Sequence, residues 1–91
     1  MFRELYDKVK EKIKLKIPHA EVYIRDPLKD GAHLEALVIA PEFQGLSLLA
    51  QHRLVKEALG DLLGNELHAL ALKTFTPEKW EKEKEFYILK E

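Results

Sequence analysis

Cysteine is absent from the 91-residue chain. Without a thiol there is no disulfide framework, so a small stapled secreted module is excluded. A Cys-based zinc site, a thiol nucleophile and a self-contained iron–sulfur site go with it. Long hydrophobic runs are also missing. The longest, residues 36–41, is far too short to span a bilayer. The first residues, MFRELYDKVKEKIK, are basic but lack the apolar stretch of a secretory signal. No membrane partner and a cytoplasmic location are therefore the default expectations. Charge of one sign is not in excess either: 15 basic and 16 acidic residues give a net charge of −1. Proteins that live on phosphate backbones usually carry a clear basic surplus, so the balance disfavours nucleic acid as a partner. Glycine and proline number four each, and no repeat, linker or low-complexity segment appears.

What is present is enough apolar material, 46% of residues, for a real core. The length gives one domain, residues 1–91. Phe2, Leu5, Tyr6, Val9 and Ile13 recur at helical spacing, with the lysines between them on the wet side. Pro18 ends that helix. Residues 21–25 alternate polar and apolar, as a half-buried strand does. Residues 26–31, DPLKDG, read as a turn. A second strand runs from His33 to Ala40, apolar over its last five residues as a central strand should be. Ser47 caps a long helix through about Leu63, with Leu48, Val55, Leu59 and Leu62 on its buried face and Gly64-Asn65 closing it. A third strand runs from His68 to Phe75. Thr76-Pro77-Glu78 then starts a last helix that carries Trp80 and a Lys/Glu run read as a solvated face.

The order αββαβα implies an α/β (α+β) fold with a three-stranded mixed sheet covered by helices. The first two strands form a hairpin. The second and third, joined by a full helix, are expected to be parallel. If those two strands are neighbours, His33 and His68 begin at the same end of the sheet, and their imidazoles can converge. That makes the pair a candidate metal site. The ordinary alternative, solvated or hydrogen-bonded histidines, stays open on topology alone. His19, beside Pro18, keeps that ordinary reading. His52, within a helix, is expected to pack or to form hydrogen bonds. No HExxH, GxxxxGK[ST] or GxGxxG is present, and nothing points to an enzyme.

Four stretches, Phe43-Gln44-Gly45-Leu46-Ser47, Gln51-His52-Arg53-Leu54-Val55, His68-Ala69-Leu70 and Thr74-Phe75-Thr76-Pro77-Glu78-Lys79-Trp80, closely resemble the BolA family at the right spacing. The family fold is a small α/β domain related to the type II KH module, in agreement with the order of elements. The resemblance implies an iron–sulfur accessory or trafficking protein that pairs with a monothiol, CGFS-type glutaredoxin, with a role in iron and redox homeostasis. It implies a bridging [2Fe–2S] cluster shared with the glutaredoxin and glutathione, and none held tightly by the isolated protein. The invariant family histidine matches His68, and the ligand from the loop before the second strand matches His33. Gln51 stands where the family usually has Arg, which removes one charge beside His52 and Arg53.

The competing expectation is a transcriptional regulator that binds nucleic acid through the KH-like fold. His52, Arg53, Lys56 and Lys73 are its candidate surface, also usable by a protein partner. Against it stand the net charge and the lack of any GxxG loop. A homodimer stays open.

Overall fold

The computed structural model describes residues 3–31, 33–67 and 69–88. The elements follow the expected order: α1 (Arg3–Lys16), β1 (Glu21–Arg25), β2 (His33–Ile39), a 3₁₀ turn (Pro41–Phe43), α2 (Leu48–Leu59), a second 3₁₀ turn (Gly60–Leu62), β3 (Ala69–Phe75) and α3 (Pro77–Ile88). The sheet order is β1-β2-β3. β1 lies antiparallel to β2, with Val22 opposite Val38 and Arg25 opposite Glu35. β2 and β3 are parallel neighbours, with His33 opposite Ala69 and Ile39 opposite Phe75. The mixed sheet and its central strand are as the sequence implies.

The period of two in the strands sorts their side chains onto two faces. Val22, Leu34, Ala36 and Val38 pack against Val9 and Ile13 of α1 and Val55 and Leu59 of α2. Leu37, Ile39 and Phe75 point the other way and pack against Trp80 and Tyr87 of α3. β2 is thus covered on both faces over its last four residues, which explains its unbroken apolar run. Both expected caps form: the Ser47 hydroxyl accepts the Ala50 N–H at 3.1 Å, and that of Thr76 accepts the Lys79 N–H at 3.3 Å.

Three expectations need correction. α2 does not run to Leu63: it stops at Leu59, where Gly60 takes φ +53°, and a 3₁₀ turn follows. Gly64, at φ +90°, instead shapes the turn into β3, its N–H donating to the Leu67 carbonyl at 2.8 Å. Leu48 is not on the buried face of α2. It is 55% exposed, and Gln51 is buried in its place at 8%. The Gln51 amide donates to the Leu46 carbonyl at 3.0 Å and accepts the Thr74 hydroxyl at 2.7 Å. Both polar groups are therefore satisfied inside the fold. Gln51 tethers α2 to β3, and it is not a lost charge on a surface patch. Phe2 lies outside the described residues.

Candidate ligand loop and the open end of the sheet

Register partners in a parallel pair share a face. His33, Glu35, Leu37 and Ile39 therefore lie on one face with Ala69, Ala71, Lys73 and Phe75. α3 packs on the end of that face that holds Leu37, Ile39 and Phe75. The opposite end is open: His33, Ala69 and Ala71 are exposed, and Glu35 is half-buried in an ion pair with Arg25 at 3.0 Å. Two alanines beside His33 leave a low shelf rather than a wall. His68, the residue before Ala69 in the sequence, lies outside the described residues, and so does the convergence expected of its ring with that of His33.

His33 is delivered by the loop from Asp26 to Gly31. Pro27 and a Lys29 N–H donated to the Asp26 carbonyl (3.0 Å) start the turn. Lys29, at φ +56°, and Gly31, at φ +69°, occupy the left-handed region. One such non-glycine residue carries strain that its surroundings must hold. Two carboxylates hold it. Asp26 accepts the Asp30 N–H at 3.2 Å on one oxygen. On its other oxygen it accepts the Gly31 N–H at 2.9 Å and the Tyr6 hydroxyl of α1 at 2.7 Å. Asp30 accepts the His33 backbone N–H at 3.1 Å, and its other oxygen meets His33 Nδ1 at 2.7 Å. The His33 side chain stays 55% exposed. Sequence reasoning saw only the Pro and Gly of this loop and missed Tyr6, Asp26 and Asp30. The available signal was the aspartates themselves, whose carboxylates bond nearby backbone N–H groups in turns.

The Tyr6 hydroxyl, helped by the Gly31 and Asp30 N–H groups, holds the Asp26 carboxyl below the usual carboxylate range, against burial and the Asp30 charge. Donating to Asp26 raises the Tyr6 hydroxyl in turn, with burial and the charges of Asp26 and Asp30 adding to the rise. A carboxyl lowered on folding stabilises the fold above its unfolded value, about 3.9, and that contribution is lost as pH falls through the folded value. Tyr6→Phe is therefore expected to destabilise the protein at neutral pH by an amount that shrinks towards zero in acid. Urea unfolding across the acid range checks this, and a deficit that persists unchanged at the acid end would show that the hydroxyl's contribution does not depend on the Asp26 charge.

The other histidines behave as expected or nearly so. His19 is exposed and pairs with Glu42 through its backbone N–H and Nδ1, both at 3.1 Å. His52 is half-buried, and burial, then the charge of Lys56, lowers its pKa. His52 and Lys73 line one shallow groove with Leu48 and Lys79. His52 also lines a second with Arg53, Lys56 and Glu57. The structure thus gathers Arg53, Lys56 and Lys73 around His52, in grooves that no residue of the Asp30–His33 loop lines. Among the described residues no group of three or more His, Cys, Asp or Glu side chains could hold a metal ion, and no helix is long and apolar enough to cross a membrane.

Comparison with known proteins agrees with this fold. A protein called "DNA-binding transcriptional regulator BolA" from Vibrio cholerae is 40% identical over 55 residues. That match takes in 60% of this chain and 52% of the relative, so the chain spans about half of that protein's length. BolA-like protein 2 of Mus musculus is 35% identical over 80 residues, covering 86% of this chain and 92% of the mouse protein. Among solved structures, a bolA protein homologue from Coxiella burnetii superimposes with a TM-score of 0.70 at 39% identity, over 80% of this chain and 91% of the other. The family model for BolA-like proteins matches residues 11–79, which takes in the Asp26–His33 loop, all three strands and the start of α3. The chain belongs to the BolA-like family.

Proposed function

We propose that the protein is an iron–sulfur accessory protein that docks on a monothiol, CGFS-type glutaredoxin and supplies His33 and His68 to one iron of a bridging [2Fe–2S] cluster. The observation that carries the reading is His33 itself. Its ring is exposed at the open end of the sheet, on a strand whose parallel neighbour begins immediately after His68. The donor chemistry fits half a coordination sphere: imidazole on this side, thiolates from a partner, since the chain has none. When bound, such a cluster supplies one-electron redox chemistry. Two neutral imidazoles in place of two thiolates remove negative charge and raise the potential above the value of about −400 mV of plant-type ferredoxins. The uncovered shelf beside Ala69 and Ala71 gives a partner room to approach His33.

The test is a titration of the protein into cluster-loaded glutaredoxin, followed by visible absorption and circular dichroism. The wild type is expected to change the spectrum, and His68→Ala and His33→Ala each to abolish or weaken the change. Identical spectra for wild type and His68→Ala would sink the ligand assignment.

A second reading, a DNA-binding regulator, is favoured by the Vibrio relative's name and by the basic residues gathered around His52. It requires salt-dependent binding to duplex DNA that weakens when Arg53 and Lys56 are replaced by Glu and that glutaredoxin leaves unchanged. The net charge of −1 weighs against it.

A further inference from the structure

A neutral imidazole has one nitrogen that donates and one that accepts, and only the bare nitrogen can ligate a metal. An ionised carboxylate only accepts. His33 Nδ1 lies 2.7 Å from Asp30 Oδ2, a short, charge-assisted separation. The hydrogen at that contact must therefore sit on Nδ1, which leaves Nε2 bare. Asp30 does more than hold the ring. Its other oxygen accepts the backbone N–H of the same histidine at 3.1 Å, so one carboxylate fixes both the main chain and the ring of His33. Asp30 is itself fixed, through its own N–H, by Asp26, and Asp26 is anchored to α1 by Tyr6. Burial does not force the contact, since the side chains of His33 and Asp30 are 55% and 38% exposed. An unrestrained imidazole in water prefers the opposite tautomer, with the proton on Nε2, so the carboxylate acts against the default.

We infer that Asp30 is the positioning residue of the site: it holds His33 in the Nδ1–H form and presents Nε2 as the donor atom. The inference deepens the glutaredoxin reading and rests on it for the identity of the metal, but the tautomer is a property of the free protein. Carboxylate–histidine pairs of this kind orient metal-ligating histidines generally, and losing the outer partner typically costs about 10–100-fold in metal affinity.

The discriminating variant is Asp30→Asn. Asparagine keeps a carbonyl oxygen that can accept the His33 backbone N–H, so the loop cap survives. Its amide, however, offers a donor to Nδ1, which reverses the tautomer. Long-range ¹⁵N–¹H correlation spectra of the free protein, at a pH where the ring is neutral, report which nitrogen is protonated. The wild type is expected to show Nδ1–H, and Asp30→Asn a shift to Nε2–H with the backbone resonances of β1 and β2 in place. In the glutaredoxin titration the same variant should weaken cluster sharing by about 10–100-fold. A wild-type spectrum dominated by Nε2–H overturns the positioning role. So does an Asp30→Asn variant that reverses the tautomer yet shares the cluster as well as wild type. If the wild type shows Nδ1–H and His33→Ala still shares the cluster normally, the ligand reading of His33 fails while the tautomer assignment stands.

Discussion

Phe43→Ala is expected to cost about 3–5 kcal/mol of folding stability, the range for truncating a fully buried aromatic side chain. At about 0.05–0.15 kcal/mol per residue a domain of this size has roughly 5–14 kcal/mol in all, so the loss is a large share of the total. The residue sits in a 3₁₀ turn between β2 and α2, where surface exposure would be the usual expectation. It is nevertheless 0% exposed and belongs to the core that joins both helices to the sheet. Its backbone is committed as well: its N–H donates to the Ala40 carbonyl at 3.2 Å, and its carbonyl accepts the Leu46 N–H at 3.0 Å. Gly45, at φ +81°, lets the chain turn back after the ring is inserted. The cavity left by alanine would open inside the cluster that holds α1, α2 and the sheet together. Urea unfolding should show a much lower midpoint with an unchanged slope. A loss below about 1 kcal/mol would mean that the site collapses around the missing ring and that Phe43 is not central to the core.

The same turn shows why part of the molecule was readable in the sequence. β1 was expected at 21–25 and is found there, because strict alternation has one interpretation when one face is buried. The Ser47 and Thr76 caps were readable because each precedes a helix and has a hydroxyl to offer. The end of α2 was not, because Gly60 and Gly64 are both stop signals by composition. Which one ends the helix depends on the 3₁₀ turn that seats Leu62 in the core. The role of Gln51 is hidden from the sequence for a different reason. Hydrophobic periodicity cannot reveal a buried polar residue whose partner, Thr74, lies 23 positions away on another strand. The candidate site divides along the same line. The place of His33 at the start of β2, beside the start of β3, was legible from topology, while its convergence with His68 lies outside the described residues. Asp30 was not, because its value lies in a contact three residues on that a turn assignment does not specify.

Trp80→Ala carries the other large expected effect, again about 3–5 kcal/mol, but with a different distribution over the molecule. Trp80 is the only tryptophan, and it is 5% exposed. It meets Phe75 edge-on at 5.1 Å and stacks between Tyr23 at 5.8 Å and Tyr87 at 6.0 Å. The rest of α3 is largely Lys and Glu, and five charged residues follow Trp80 in succession. The helix is held to the sheet by this aromatic cluster, by the Lys79 ammonium 5.9 Å from the centre of the Phe75 ring, and by the Arg25 guanidinium donating to the Tyr87 carbonyl at 2.9 Å. With the indole gone, the helix loses the side chain that all three other rings touch or approach, while the core on the opposite face of the sheet keeps its contacts. Local opening should then separate from global unfolding. Hydrogen exchange is expected to show the α3 amides losing protection at once. Those of Val9, Ile13, Val38 and Val55 should fall only as far as the global stability falls. The amide of Leu34 beside His33 should keep its chemical shift, because α3 packs at the other end of the sheet, whereas that of Glu35 should move, since Arg25 links it to the Tyr87 carbonyl of α3. If instead α3 and the inner core lose protection together, α3 is part of a single cooperative unit. The open end of the sheet then depends on Trp80 as much as the covered end does.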